Sequence, residues 1–365
     1  MLVHCARAVE AVPRLQDGEE AVRRRELLVG TTGLTGAAAL GLIPAASTAG
    51  IDPVAARLEA LLLGEGGLAR PVPMVHLGKS LAAAWRSFEN CQYSELADRL
   101  PDLVNVARAS RHAATGQARD QFAAVLSDTY VLVSELAVKI NKNSMAWLFA
   151  DRALTAARDS GNPASVAAAS RAFAICMRRL GHYDGATRLL VDSALSIGAD
   201  HGDPGPVLLA AYGSVLCTAA YSCAQNSKGA EALELIGEAG EAAVRMGDAR
   251  VGHSVFSVAN VSVYQIGVHT ALGDSAQALE HARTVEQHQL PTPERHARFC
   301  VDTARAWEQF GRRDRAYQAL SVAERHAPEE LRRPSVRTLV ANLLYSPGIP
   351  PSGLRALAAR SGVLV

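Results

Sequence analysis

Aromatic residues are scarce: Phe, Trp and Tyr together make up 5% of the 365 residues. With Ala and Leu dominant, that scarcity argues against a β-sandwich, which draws on Val, Ile, Tyr and Thr, and favours closely packed helices. An excess of either charge is missing as well. Acidic and basic residues number 36 and 37 and are interspersed, for a net charge of +1. The chain therefore lacks the basic face that binding to a phosphate backbone requires. Only four of the basic residues are Lys, the codon bias of a GC-rich bacterial genome. No CxxC occurs, and Cys5, Cys91, Cys176, Cys217, Cys223 and Cys300 are scattered singly. Small buried thiols in a reducing compartment fit that pattern better than disulfides or a metal site.

Catalytic signatures are equally sparse. There is no HExxH and no GxSxG, and Gly64-Glu-Gly-Gly67 lacks the Lys and the strand that a phosphate-binding loop needs. His281 and His288 stand seven apart with no third ligand nearby, which reads as surface histidines. Asp203 and Asp248 follow turn glycines and read as helix N-caps. No enzymatic activity, metal or cofactor is expected.

What the chain does have is rhythm. From about residue 74, apolar residues recur at three- and four-residue steps over stretches of 15–20, the period of an amphipathic helix. One breaker series is Gly161-Asn162-Pro163, Gly202-Asp203-Pro204 and Gly247-Asp248, at intervals of 41 and 45 residues. A second series, Gly181, Gly273 and Gly311, falls between and beyond them. Two series mean two helices per unit. Pairs are predicted over 74–90 with 93–110, 118–140 with 143–160, 164–180 with 183–199, 206–225 with 228–247, 253–272 with 275–288, and 295–310 with 313–326, then a short terminal pair over 334–361. In three units an Ala (Ala186, Ala278, Ala316) follows the turn glycine by five residues, where a small side chain admits close helix approach. The expected fold is all-α: a right-handed, tetratricopeptide-like (TPR-like) solenoid of about six helical hairpins plus a C-terminal cap. Residues 74–362 form the repeat domain, 51–73 a connecting segment and 1–50 an N-terminal apolar segment.

Candidate binding residues lie on the first helices of the units. Asn260 and Tyr264 are one turn apart, with His253 and Gln265 near, and an Asn there either binds an extended peptide backbone or makes a buried inter-helix hydrogen bond. Arg171, Arg178 and Tyr212 extend the same face. On 295–310, Phe299, Thr303, Ala306 and Phe310 are the expected core stripe. Arg298, Asp302, Arg305 and Gln309 form a polar stripe that is either an exposed, internally salt-bridged face or part of a concave groove. Trp85, Trp147 and Trp307 read as packing anchors.

The C-terminal third carries the most distinctive runs: Pro293 to Arg312, Asp314 to Glu330, Pro334 to Val340 and Leu354 to Gly362. They resemble the TPR-type C-terminal region of XRE-like helix-turn-helix transcriptional regulators of GC-rich bacteria, a likeness covering most of 23–362. Arg24-Arg25-Glu26-Leu27-Leu28, followed by a Gly- and Ala-rich apolar stretch, is similar to the linker of those regulators. The resemblance implies a cytoplasmic module that binds a peptide, small signal or protein partner in its concave groove, as a homodimer in one arrangement. Residues 1–22 are too short for the DNA-binding domain, so DNA contact is expected only through a missing or separate helix-turn-helix domain. No membrane partner is expected. The alternative for 23–50 is a twin-arginine export signal ahead of an exported adaptor, since Arg24-Arg25 precedes more than twenty uncharged residues.

Overall fold

The computed structural model describes residues 53–63, 69–197, 204–247, 249 and 251–364. The 1–50 segment, with its linker and export-signal readings, lies outside them, as do Asp203 and Asp248. No strand occurs among the described residues; Val251 and Ser254 form an isolated bridge. The rest is helical: α1 (Pro53–Leu63), α2 (Met74–Glu89), α3 (Tyr93–Ala113), α4 (Gly116–Lys139), α5 (Asn143–Ser160), α6 (Pro163–Arg179), α7 (Tyr183–Ile197) and α8 (Pro206–Gln225). Then come α9 (Gly229–Met246), α10 (Val258–Ala271), α11 (Ser275–Thr284), α12 (Pro293–Gln309), α13 (Arg313–His326), α14 (Pro328–Leu331), α15 (Pro334–Tyr345) and α16 (Leu354–Ser361).

The helix starts follow from local chemistry. Asn162 Oδ1 accepts hydrogen bonds from the amides of Ala164 and Ser165, with Pro163 at the first helical position. Ser257, Asp274 and Thr292 cap α10, α11 and α12 in the same way.

The turns inside the hairpins show the repeat more clearly than any side chain. One residue in each adopts a left-handed conformation: Cys91, Asn141, Gly181, Ser227, Gly273 and Gly311. In all six, the amide of the following residue bonds back to the carbonyl five positions earlier, from Gln92 to Ser87, Lys142 to Ala137, His182 to Met177, Lys228 to Cys223, Asp274 to His269 and Arg312 to Trp307. That is the Schellman closure of a helix C-terminus. The residue five after each turn is fully buried: Leu96, Ala146, Ala186, Ala232, Ala278 and Ala316. Five of these six are Ala, so the second helix of each unit lies close on the first.

Packing is serial. Within each hairpin α2 lies on α3, α4 on α5, α6 on α7, α8 on α9, α10 on α11 and α12 on α13. The first helices also touch in succession, from α2 to α4 and on through α6, α8 and α10 to α12. Then α12 returns to α2, so the six inner helices close into a ring. Apolar packing crosses this seam, because Ala297 and Ala327 join the N-terminal core.

Three segments depart from the sequence reading. The connecting segment holds α1, whose fully buried Leu58 packs into the N-terminal core. Residues 253–257, assigned to a helix by their apolar content, form a turn, and α10 starts at Val258. Phe310, expected in the core, is 51% exposed at the C-terminal end of α12, whereas Phe299 and Ala306 of the same stripe are buried.

Candidate functional site

The inner face of the ring is polar where an ordinary core would be oily. At the seam, Lys139 at the end of α4 donates to Glu294 Oε1 at 2.5 Å and to Glu330 Oε1 at 2.6 Å. All three side chains are at most 8% exposed. Arg295 pairs with Glu294, Arg333 with Glu330, and the Tyr93 hydroxyl donates to Glu330. Burial alone would push both carboxyls up. Arg295 and Lys139 beside Glu294, and Arg333 and Lys139 beside Glu330, outweigh that and hold both well below the usual carboxylate range, Glu330 at about 2. Glu329 accepts from the amides of Tyr93 and Ser94, capping α3 from the far end of the chain.

Behind the seam lies a cavity of about 400 Å³, bounded by all six inner helices and the 251–255 turn. That volume lies within the ~300–1,000 Å³ range of small-molecule pockets. Small residues of α6 and α8, such as Ala164, Ala168, Ala210 and Ala211, form an apolar wall. Polar groups gather in two places.

The first cluster is self-paired. Arg171 Nη1 donates to Glu135 at 2.6 Å and lies beside Tyr264. Burial works against the charge of Arg171, but Glu135 and Tyr264 more than offset it and raise its pKa. Burial would raise the Tyr264 phenol, and Arg171 and Arg295 reverse that, so its pKa is lowered. Asn260, 5% exposed, accepts weakly from Arg295 at 3.4 Å.

The second cluster stands at the seam end. His253 Nε2 is 3.4 Å from Asp128 Oδ1, and Glu89 lines the same end of the cavity, close enough to act on the ring by charge. The imidazole lies flat on the Trp85 indole, with centroids 4.0 Å apart and planes 8° from parallel. Burial raises the pKa of both carboxyls. Among the described residues neither makes an ion pair with Lys or Arg, and no hydroxyl or thiol hydrogen-bonds His253 to complete a nucleophilic triad.

No family model, curated protein or solved structure matches this chain.

Of the residues singled out in the sequence, Arg171, Asn260 and Tyr264 line the cavity. The others stand elsewhere. Arg178 lies over the Tyr221 ring at 4.6 Å, and burial lowers its pKa. Arg298 and Arg305 both pair with Asp302, which is 3% exposed. This is the internally salt-bridged arrangement, but turned inward toward Tyr221. Tyr212 is buried and donates to Glu238 of α9 at 2.5 Å, away from the cavity. Trp85, read as a packing anchor, lines the cavity mouth.

Sequence reading set His253 near Asn260 and Tyr264, and all three line the cavity, but it missed Glu89, Asp128 and the Lys139–Glu294–Glu330 cluster. The seam partners are 155 and 191 residues apart, and no helical periodicity links them. One signal was there: Lys139 is one of only four lysines and sits at the end of the apolar helix α4.

Metal and thiol chemistry find little footing. No group of three metal-ligating side chains exists among the described residues. His281 stacks on His269 at 5.0 Å, and His288 lies beyond the end of α11. Burial pushes the Cys91 and Cys217 thiols up to about 12 and those of Cys176, Cys223 and Cys300 up to about 11, so all five stay protonated near neutrality. Among the described residues two helices, Gly116–Lys139 and Pro206–Gln225, are long and apolar enough to cross a membrane, and most of each apolar stretch is buried in the helical packing.

Proposed function

We propose that this chain is the effector-binding module of a regulator, a TPR-like array of six helical hairpins whose inner face binds a small signal molecule or a short peptide. The observation that carries this reading is convergence. Six consecutive first helices contribute to one cavity of about 400 Å³, with polar groups at two places and an apolar wall between. A pocket of this size takes a compact ligand rather than a folded partner. A bound ligand would bridge helices far apart in sequence, so occupancy would bias the seam where α2 meets α12. The likeness of 293–362 to XRE-type regulators supports a regulatory output, with DNA contact supplied by a helix-turn-helix domain elsewhere.

The test is a ligand screen by thermal shift, using small metabolites and blocked tripeptides sorted by charge. A true ligand at a hundredfold excess over its Kd raises stability by about 2.7 kcal/mol. The gain should vanish in Ala168→Leu or Ala211→Leu, which fill the cavity while the helices persist by circular dichroism. A shift retained in both filled variants would place the ligand elsewhere and end this reading.

A further inference from the structure

The seam end of the cavity holds a ligand-like arrangement made by the chain itself. A flat ring capable of carrying positive charge, the His253 imidazole, rests on the Trp85 indole beside the Asp128 carboxylate, and Glu89 lines the same end of the cavity within reach of its charge. Its attachment is slight. The His253 side chain is 39% exposed and its contact to Asp128 is 3.4 Å, longer than the 2.5–2.6 Å of the ion pairs Lys139 and Arg171 make. Among the described residues, the turn that carries it is closed by the backbone pairing of Ser254 with Val251, with Gly252 in a left-handed conformation. By contrast Phe256, just beyond, is anchored: its ring fills the place a side chain at Gly213 would take. The turn thus has a fixed root and a loosely held tip.

A second observation concerns the indole. The buried Trp85 Nε1–H is directed at the Asp128 carboxylate without reaching it in good hydrogen-bond geometry, so the two lie on one wall of the seat. Trp85 itself is 7% exposed and lines the cavity.

We infer that the seam end of this cavity is a seat for a guanidinium-bearing ligand, such as an arginine side chain on a short peptide, and that His253 occupies the seat until the ligand displaces it. Guanidinium fits each requirement. It is planar and stacks on indole, its forked donors meet the two carboxylates, and it stays charged at any physiological pH. The groups facing the seat are Glu89, Asp128, Trp85 and His253, with Arg86, Glu294 and Arg295 close enough to act on Glu89 by charge. An ammonium supplies the charge but not the flat face, so the seat prefers arginine to lysine.

This inference rests on the cavity reading and deepens it, and one titration series separates the two. Isothermal titration of the full chain uses blocked alanyl-arginyl-alanine, and its lysine, citrulline and all-alanine counterparts. The arginine peptide should bind at least about tenfold more tightly than the citrulline peptide, which keeps the shape but loses the charge. Glu89→Gln and Asp128→Asn should each weaken it by about tenfold. His253→Ala should tighten it several-fold, since the competing ring is gone. That gain-of-affinity arm guards against misfolding as an explanation. Equal binding of the citrulline peptide, or weaker arginine binding in His253→Ala, overturns the inference. If uncharged peptides bind and the arginine peptide does not, the seat is lost while the cavity reading stands. If no peptide binds wild type or His253→Ala, the seat falls with it, and the metabolite screen decides the wider reading.

Discussion

Lys139 is the side chain on which the seam turns. It neutralises two buried carboxylates from two different C-terminal elements, and each carboxylate keeps one arginine besides. Removing one member of a buried charge network costs about 3–5 kcal/mol, because the remaining charges stay buried and short of a partner. Lys139→Met should lower stability at the bottom of that range, since Arg295 and Arg333 remain, as measured by urea unfolding. The network also sets an acid limit. Glu294 and Glu330 are held below their unfolded values, so their contribution is complete above about pH 4.5 and is lost as pH falls toward 2. Stability measured across that window should fall steeply in wild type and more shallowly in Lys139→Met. A parallel fall would assign the acid lability to other carboxylates. Gly213 is a residue of a different kind. A methyl there would meet the Phe256 ring, so Gly213→Ala should cost about 1–3 kcal/mol in thermal unfolding and shift the Trp85 fluorescence as the 251–257 segment moves.

At the scale of elements, the hairpin turn is the repeating object, and its legibility in the sequence was uneven. Gly181, Gly273 and Gly311 announced three turns because glycine is the usual residue for a left-handed cap. Cys91, Asn141 and Ser227 occupy the same position in the other three hairpins and gave no such sign. Those helices were found by apolar period alone. The same difference predicts a gain. A non-glycine residue in that conformation carries roughly 1–2 kcal/mol of strain, partly offset by the extra entropy glycine loses on folding. Ser227→Gly should therefore raise the thermal midpoint modestly, whereas Ala232→Leu, five residues on, should lower it by forcing α8 and α9 apart. The candidate site was legible only in part. Arg171, Asn260 and Tyr264 share the face of first helices that periodicity exposes. His253 was read near them but on a helix, whereas it stands on the turn before Val258, and Glu89 and Asp128 meet it only through tertiary folding.

At the scale of the molecule, α12 touching α2 ties the first hairpin to the last. An array whose units touch only their neighbours frays from its ends. Here Tyr93 of the first hairpin and Lys139 of the second meet Glu294 of the sixth and Glu329 and Glu330 of α14, which follows it. Hydrogen exchange should accordingly find α3 and α12 opening together rather than independently. Glu329→Ala, which removes the cap from the start of α3, should speed exchange at Tyr93 and Ser94 and cost about 1 kcal/mol. Exchange at α3 unaffected by that change would show that the seam does not couple the two ends.

Circumference is thereby fixed by count. A line of hairpins tolerates one more or one fewer, since each added unit only lengthens it. A closed circuit has no such freedom: a seventh hairpin spliced in after α7 would carry Glu294 and Glu330 past the reach of Lys139, stranding the lysine and leaving each carboxylate with its arginine alone. For this protein, change in length is confined to what hangs outside the circle.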